Sequence, residues 1–391
     1  MIAHLQTEKP IVLISGVNLV EGGPLSIMKD AVKVFAEEYL NRYKLVLLVN
    51  NKNLFSELIN EPGIEFHEYA YPKKSWLLKL WFEYVHCRSI SKTIRPDLWF
   101  SIHDVTPSVV TKNKIVYCHN PAPFYKIRLK EIWNEKTLFF FHFFYSFIYR
   151  INIKTNKFII VQQDWLRQEF RKRYKVDHII VAYPDIHTPS SVIKNDIQND
   201  GSDFKFFYPA LPRSFKNFEV VLEAAELLKN RQPGFEVIFT FDGSENSYSE
   251  KLVTKYRTNK HTKFIGRQTR ERTLQLYNEC SCLIFPSKME TWGLPITEMK
   301  YFNKPMLVAD ERYAHETVGD YDKACFFETT NAPALAALME KAIESSLQFH
   351  GLTYKRPQQP FVQSWKELYE LILPNKKHIN EVTEILNATD A

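Results

Sequence analysis

No apolar run in this 391-residue chain reaches the roughly 18 residues that mark a membrane-crossing helix, so none is expected. Cysteine is sparse. The five cysteines, Cys87, Cys118, Cys280, Cys282 and Cys325, are odd in number and scattered. Cys280 and Cys282 stand two apart, which matches no familiar metal spacing. That usage fits a reduced, cytosolic compartment. No secretory leader is expected either, because the first apolar stretch, Ile11 to Ser15, is short and lacks the flanks of one. Excess charge is slight: the net charge is +6, with 45% hydrophobic and 25% charged residues, an ordinary globular balance. A mildly basic surface suits nucleic acid, anionic lipid or phosphorylated substrates alike, and charge does not choose among them. The length allows two domains of ordinary size.

Short apolar runs alternate with helical stretches along the chain. In the first half, strands are expected at Ile11 to Ser15, Lys44 to Val49, Ile64 to Tyr69, Leu98 to Ile102, Lys114 to Cys118, Lys157 to Val161 and His178 to Val181. Helices are expected over Pro24 to Asn41 and over Ser75 to Ile94, the latter basic and amphipathic. Residues 185–203 are polar, with Pro, Ser, Asn and Gly and little periodicity, and read as a linker. The alternation then restarts, with strands at Phe204 to Tyr208, Phe235 to Phe241, Thr262 to Ile265, Ser281 to Phe285 and Met306 to Ala309. Helices separate them, an apolar helix follows over Pro333 to Ser346, and a last one starts near Val362. This pattern argues for α/β architecture with parallel sheets covered on both faces. The expected division is 1–184, a linker at 185–203, a second domain at 204–361, and a C-terminal segment at 362–391.

The densest chemistry lies between Phe285 and Asp310. Glu290 and Glu298 are eight positions apart, with the turn Thr291-Trp292-Gly293-Leu294 between them. Pro295 needs no partner for its missing N–H and opens a helix. One carboxylate therefore follows a buried strand, and the other is expected in the helix's first turn. That is the crevice where open α/β sheets bind ligands. Loop amides and a helix N-terminus there face an anion such as a nucleotide diphosphate. The carboxylates suit sugar or ribose hydroxyls. After the strand Phe204 to Tyr208, Arg213 and Lys216 hang over the same crevice, at a helix start that Asn217 is expected to cap. A guanidinium fork beside a mobile ammonium suits a diphosphate. Asp242-Gly243 and Gly266-Arg267 end two further strands, where glycine lets backbone approach a ligand closely. Asp320-Tyr321-Asp322 is formally an Asp-x-Asp metal motif, but no apolar run precedes it and it reads as a turn.

The segment resembles the E-x7-E signature of the retaining glycosyltransferases with the two-domain GT-B fold, in particular family 4 (glycosyl transferases group 1). Pro286, Ser287, Glu290, Gly293, Leu294, Pro295, Glu298 and Pro305 are in register with that pattern. Thr291-Trp292 replaces the usual Gly-Phe or Ser-Phe, and Asn303 stands where Gly is usual. The resemblance covers residues 204–345 well and the first half loosely. It implies two Rossmann-like domains facing a cleft, with a C-terminal helix crossing back to the first. It implies hexosyl transfer from a nucleotide diphosphate sugar to a hydroxyl of a glycan or lipid-linked acceptor, in surface polysaccharide or lipopolysaccharide biosynthesis, with no cofactor, metal or nucleic acid. Glu298 would hold the ribose and Glu290 the donor sugar, with the backbone of Thr291, Trp292, Gly293 and Leu294 around sugar and phosphate. Arg213 and Lys216 would clamp the diphosphate, although the family usually spaces this pair five apart and not three. Asp242 and Gly243 would contact the nucleotide, and Arg267 the base.

In the first half, Gly22-Gly23 bends the chain between the first strand and the first helix, allowing close approach to a phosphate or sugar. The resemblance implies that role for it. His103 and His119 both end strands. The resemblance implies one active-site histidine, and the flanks Cys118-His119-Asn120-Pro121 favour His119. Thr137 to Tyr149 holds eight aromatic residues in 13, with basic flanks. It is too short to span a bilayer and reads either as a buried helix or as a peripheral contact with the inner face of the membrane. A sugar-nucleotide epimerase and a non-catalytic sugar-nucleotide-binding protein remain alternatives to transfer.

Overall fold

The computed structural model describes residues 9–125, 136–185, 203–349 and 354–373, with backbone alone at 136–141. The contacts divide the chain into two units. The first holds the described residues up to Phe124, Phe140–Asp185 and those from Pro357 on, and the second those within Tyr125–Phe139 and Ile186–Arg356.

The strands of the first unit are β1 (Ile11–Ser15), β2 (Lys44–Val49), β3 (Ile64–Glu68), β4 (Leu98–Ser101), β5 (Asn113–Cys118), β6 (Phe158–Val161) and β7 (Ile179–Ala182). The second unit contains β8 (Phe204–Tyr208), β9 (Phe235–Phe239), β10 (Thr262–Phe264), β11 (Cys282–Phe285), β12 (Met306–Ala309) and β13 (Ala324–Phe327). The short β14 (Phe361–Val362) returns to the first sheet beside β7. Among the described residues the orders are β14-β7-β6-β5-β4-β1-β2-β3 and β10-β9-β8-β11-β12-β13, with every pairing parallel.

Parallel strands lie under helices on both faces, which is why they read as unbroken apolar runs. Side chains alternate across the first sheet: Val12, Ile14, Leu45 and Leu47 join one core, and Leu13, Val46 and Leu48 the other. The helix Trp365–Ile372, capped by Ser364 on the Glu367 amide (3.2 Å), enters the first of these cores through Trp365, Leu368 and Tyr369. Tyr369 donates to the Ala31 carbonyl at 2.9 Å, and its ring meets Phe35 edge-on at 5.3 Å between centroids. The C-terminal helix therefore belongs to the first unit, as the resemblance implies. The expected linker at 186–202 and the segment beyond residue 373 lie outside the described residues.

Several expectations are corrected. The helix expected over 75–94 runs without a break from Trp76 to Ile94, but it contains a π turn at Phe82–His86 between the α-helical stretches Trp76–Trp81 and Cys87–Ile94. The wide turn lets Phe82, Glu83 and Cys87 all face inward. Strand β13 and the helices Asp164–Tyr174 and Arg312–Val318 were not expected. Asp320-Tyr321-Asp322 consequently lies between a helix and β13, and not beyond the last strand.

Candidate functional site

In the second sheet the chain starts at β8, winds outward to β10, then crosses back to β11 on the other side of β8. The strand order thus reverses between β8 and β11, the position at which open α/β sheets bind ligands. Lys216 follows β8 and Glu290 follows β11, and they meet: the Lys216 Nζ donates to the Glu290 carboxylate. Both side chains are mostly buried, 19% and 16% exposed.

Backbone and side chains fix this pair. The Lys288 amide donates to the Phe215 carbonyl at 2.8 Å, so one loop is tied to the other. Tyr208 donates to the Lys216 carbonyl (2.7 Å) and Tyr313 to the Ser287 carbonyl (2.6 Å). Burial first, and then the charge on Glu290, push both phenols well above their ordinary pKa, so both remain donors. Asn217 is not the side-chain cap expected of it. It takes a left-handed conformation at φ 61°, and its buried amide donates to the carbonyls of Pro286 (3.3 Å) and Thr329 (2.8 Å). A short polar side chain tolerates that conformation, and here it bridges the loops after β11 and β13. Lys216 also lies over the rings of Phe215 and Phe285, 5.6 and 5.9 Å from their centroids.

Gly293 precedes the helix Leu294–Tyr301 at φ 85°. A Cβ there would stand 3.1 Å from the Phe285 ring and 3.3 Å from Ile296 and Tyr313, so the turn needs glycine on both counts. Trp292 is buried, donates to Thr297 at 2.9 Å, and accepts from Thr317 through its carbonyl. The indole is thus packing material for the loop, while Thr291 and Leu294 are half-buried. Glu298 is the fifth residue of its helix, past the first turn in which it was expected, because the helix already starts at Leu294. It is 6% exposed and accepts from Arg270, the first residue of the helix Arg270–Glu279. Arg270 was missed by sequence reasoning. Its signal was Thr269, which caps that helix on the Arg272 amide (3.2 Å) and so places a cation just after β10.

The remaining expected residues of this unit sit at the rim. Arg213 is exposed at the start of the Ser214–Lys216 turn. The loop after β9 closes on itself: the amides of Asp242 and Gly243 both donate to the Glu245 carboxylate at 3.1 Å. Nucleotide contact was expected of this loop, and Glu245 sets the direction of its amides. Gly266, at φ 72°, approaches the Asp242 carboxylate (3.0 Å from its Cβ position), and Arg267 is exposed.

The first unit repeats the pattern. Its sheet order reverses between β1 and β4, and Ser15, His103 and Asp104 lie at those strand ends. The Ser15 hydroxyl is 3.3 Å and the Glu83 carboxylate 3.5 Å from Nε2 of His103. Glu83 is fully buried, and burial raises its carboxyl to about 8. Nearby Lys79 is also buried; burial favours its neutral form, but Tyr145, Glu83 and Asp104 outweigh that and hold it charged. His119 lies 2.8 Å through Nε2 from the Ile102 carbonyl, which fixes the proton on that nitrogen and leaves Nδ1 as an acceptor. Burial lowers the pKa of His103 and of His119. Asp104, in a left-handed conformation, accepts from the amides of His119 (2.5 Å) and Asn120 (2.9 Å) and from Tyr149 (2.7 Å). Lys79, Glu83 and Asp104 gave no sequence signal. Gly22, at φ 74°, starts the helix Gly22–Tyr39, and both Gly22 and Gly23 stand at its N-terminus.

Residues 190–357 match the family described as Glycosyl transferases group 1. That match lies within the second unit but for its last residue. One curated relative, the putative glycosyltransferase EpsD of Bacillus subtilis (strain 168), is 25% identical over 139 residues, 36% of this chain and 36% of its own. The match thus spans about a third of that protein's length. Solved structures share the fold over far more of the chain. A glycosyltransferase from Rickettsia africae ESF-5 superposes with a TM-score of 0.60 at 18% identity, covering 86% of this chain and 89% of that one. Anabaena HepE in complex with UDP-glucose gives 0.59 at 16%, covering 86% and 90%. The lipopolysaccharide outer core galactosyltransferase WaaB gives 0.62 at 11%, covering 98% and 100%. The architecture is therefore that of the GT-B glycosyltransferases, with the Lys216–Glu290 pair at the strand reversal of the second sheet.

Proposed function

We propose that the protein is a retaining glycosyltransferase of family 4. It moves a hexosyl group from a nucleotide diphosphate sugar to a hydroxyl of a glycan or lipid-linked acceptor, in the assembly of a surface polysaccharide or lipopolysaccharide. The observation that carries this reading is the Lys216–Glu290 ion pair, held at the strand reversal by hydrogen bonds from both loops. A diphosphate competes with Glu290 for the Lys216 ammonium. Once displaced, the carboxylate is placed to accept hydroxyls of the donor sugar. Arg213 adds a second cation on the same loop, and Glu298, set by Arg270, faces the ribose. HepE was crystallised with UDP-glucose, with UDP, and with UDP and glucose, which makes UDP the first donor base to try here.

The sugar's bond to the β-phosphate breaks as the acceptor oxygen bonds to the same carbon on the same face. The acceptor proton passes to the leaving phosphate. Negative charge builds on the diphosphate, and Lys216, Arg213 and the amides before the helix Leu294–Tyr301 stabilise it, with no metal required. In this reading His119 touches the acceptor or sugar through Nδ1, and Gly22-Gly23 lies along the donor phosphate or the acceptor.

Thermal-shift titration with UDP, GDP, ADP and dTDP identifies the base, since a ligand of the native state raises its stability. Nuclear magnetic resonance of the matching sugar nucleotide in water then reads the chemistry. Slow hydrolysis with the anomeric configuration kept, unaffected by EDTA, is expected. Interconversion of the sugar on its nucleotide would make the protein an epimerase, and binding with no turnover of any kind would make it a binding protein.

A further inference from the structure

Glu298 is buried more deeply than Glu290, 6% against 16% exposed. A carboxylate with so little water needs a cation and hydrogen-bond donors around it. Arg270 supplies the cation, and its Nη1 donates to Oε1 of Glu298. Tyr277, on the same helix Arg270–Glu279, lies beside the same carboxylate. Burial first, and then the charge on Glu298, push that phenol well above its ordinary pKa, so it stays protonated. Arg270 and Tyr277 are seven residues apart and share one face of their helix.

Arg270 does little for its own helix. As the first residue it sets a positive charge at the positive end of the helix dipole, where an acid such as Glu271 is favoured. Thr269 already caps that end. The guanidinium side chain is 48% exposed, so packing does not account for it either. Its one effect on the site is to hold an oxygen of Glu298 from the β10 side.

We propose that Arg270 is a positioning residue that makes the site selective for ribonucleotides: by holding Oε1 of Glu298 it aims Oε2 at the ribose 2′-hydroxyl, so that sugar nucleotides of UDP, GDP or ADP are accepted and those of dTDP refused. This rests on the transferase reading and names its class of donor. The 2′-hydroxyl is the ribose hydroxyl next to the base, and the base is expected at Gly266-Arg267, on the Arg270 side of Glu298. A carboxylate held in one place and short of water loses its partner outright when the 2′-hydroxyl is missing. A mobile, hydrated carboxylate would turn to water and discriminate little. A hydrogen bond to a charged group corresponds to a preference of about ten- to hundredfold.

The test is calorimetric titration of the full chain with UDP, GDP and ADP, each beside its 2′-deoxy counterpart, and with dTDP. Wild type is expected to bind one ribonucleotide about ten- to hundredfold more tightly than its 2′-deoxy counterpart. Arg270→Ala should bring that ratio to about threefold or less, chiefly by weakening the ribonucleotide, with an unchanged melting profile. Arg270→Lys should recover part of the ratio, because it returns the charge without the fixed fork. Arg270→Gln serves if alanine impairs folding. Equal wild-type affinity for the two forms, tightest binding to dTDP, or a ratio that Arg270→Ala leaves intact would overturn the proposal while the transferase reading stands. So would a loss in Arg270→Ala that is equal for both forms, because Arg270 would then meet the phosphates or the base. If no nucleoside diphosphate binds the wild type, the transferase reading falls and this role with it.

Discussion

Lys216 and Glu290 neutralise each other across two loops, and each sets what the other can do. Lys216→Ala should weaken nucleoside diphosphate binding about ten- to hundredfold, the worth of a charge-assisted hydrogen bond, and leave binding of the free nucleoside nearly unchanged. Calorimetric titration of both ligands checks this; equal losses would remove Lys216 from the diphosphate site. Glu290→Gln takes away the ammonium's competitor. Diphosphate affinity should hold or rise while kcat falls, because the sugar loses its acceptor in the transition state. Glu298→Gln should instead weaken nucleotide binding. It should cost only about 1 kcal/mol of stability, since Arg270 is half exposed and water replaces its partner. If the two glutamine variants exchange these phenotypes, the assigned roles are reversed. Glu83 supplies a pH signature in the first unit. Its folded pKa of about 8 lies above the ordinary carboxylate range, so the native state binds its proton more tightly than the unfolded chain does. That stabilisation is complete below the unfolded pKa and is lost as the pH rises through 8. Denaturant titrations should show Glu83→Gln gaining on wild type steadily from about pH 5 upward. The positions of Glu290, Lys216 and His119 past strand ends were legible because each follows an apolar run. Arg270, Asp104 and Glu83 were not, since their importance comes from partners distant in sequence.

At the scale of elements, the strands were the readable part. A parallel strand buried on both faces has no polar face to disguise it, and runs such as Cys282-Leu-Ile-Phe admit little else. Strand β13, Ala324–Phe327, is as long as β11 and β12 but lies between a polar turn and the polar Glu328-Thr329-Thr330, and its brief apolar run went unread. The π turn at Phe82–His86 was illegible for a different reason: helical periodicity assumes a constant turn, and one wide turn shifts the face that follows. The capping error at Asn217 has the same logic, since only the folded loops reveal the carbonyls of Pro286 and Thr329 that claim its amide. Gly293 is where an element and the site depend on one residue. Gly293→Ala should destabilise the second unit by about 1–3 kcal/mol through its left-handed conformation and the crowding at Phe285. It should also weaken diphosphate binding, as the loop carrying Glu290 shifts. Urea unfolding with and without UDP measures both effects, and a variant matching wild type in each would show that the turn tolerates a Cβ.

At the scale of the whole molecule, two sheets that reverse their order in the same way carry their candidate residues in the same place, beyond the C-terminal ends of the strands at the reversal. The restart of strand–helix alternation after residue 203 made two domains legible, whereas the destination of the last helix came from the family resemblance. That helix completes a core. Tyr369→Ala should cost the first unit about 3–5 kcal/mol, as a large aromatic ring leaves a packed interior and the Ala31 carbonyl loses its donor. Two separate unfolding transitions, of which only one moves to lower urea, would fit; a variant with no shift would show that this face packs without Tyr369.

The docking of Val362 and Tyr369 against β7 and the helix Gly22–Tyr39 also fixes an order of events during synthesis. The half of the chain made first cannot finish its sheet until the half made last has left the ribosome. All of the second unit's residues emerge before that closure, so the downstream unit is free to fold first. Through that interval Phe35 and Tyr39 lack their final cover, which makes the growing first unit, and not the finished protein, the state most in need of a chaperone.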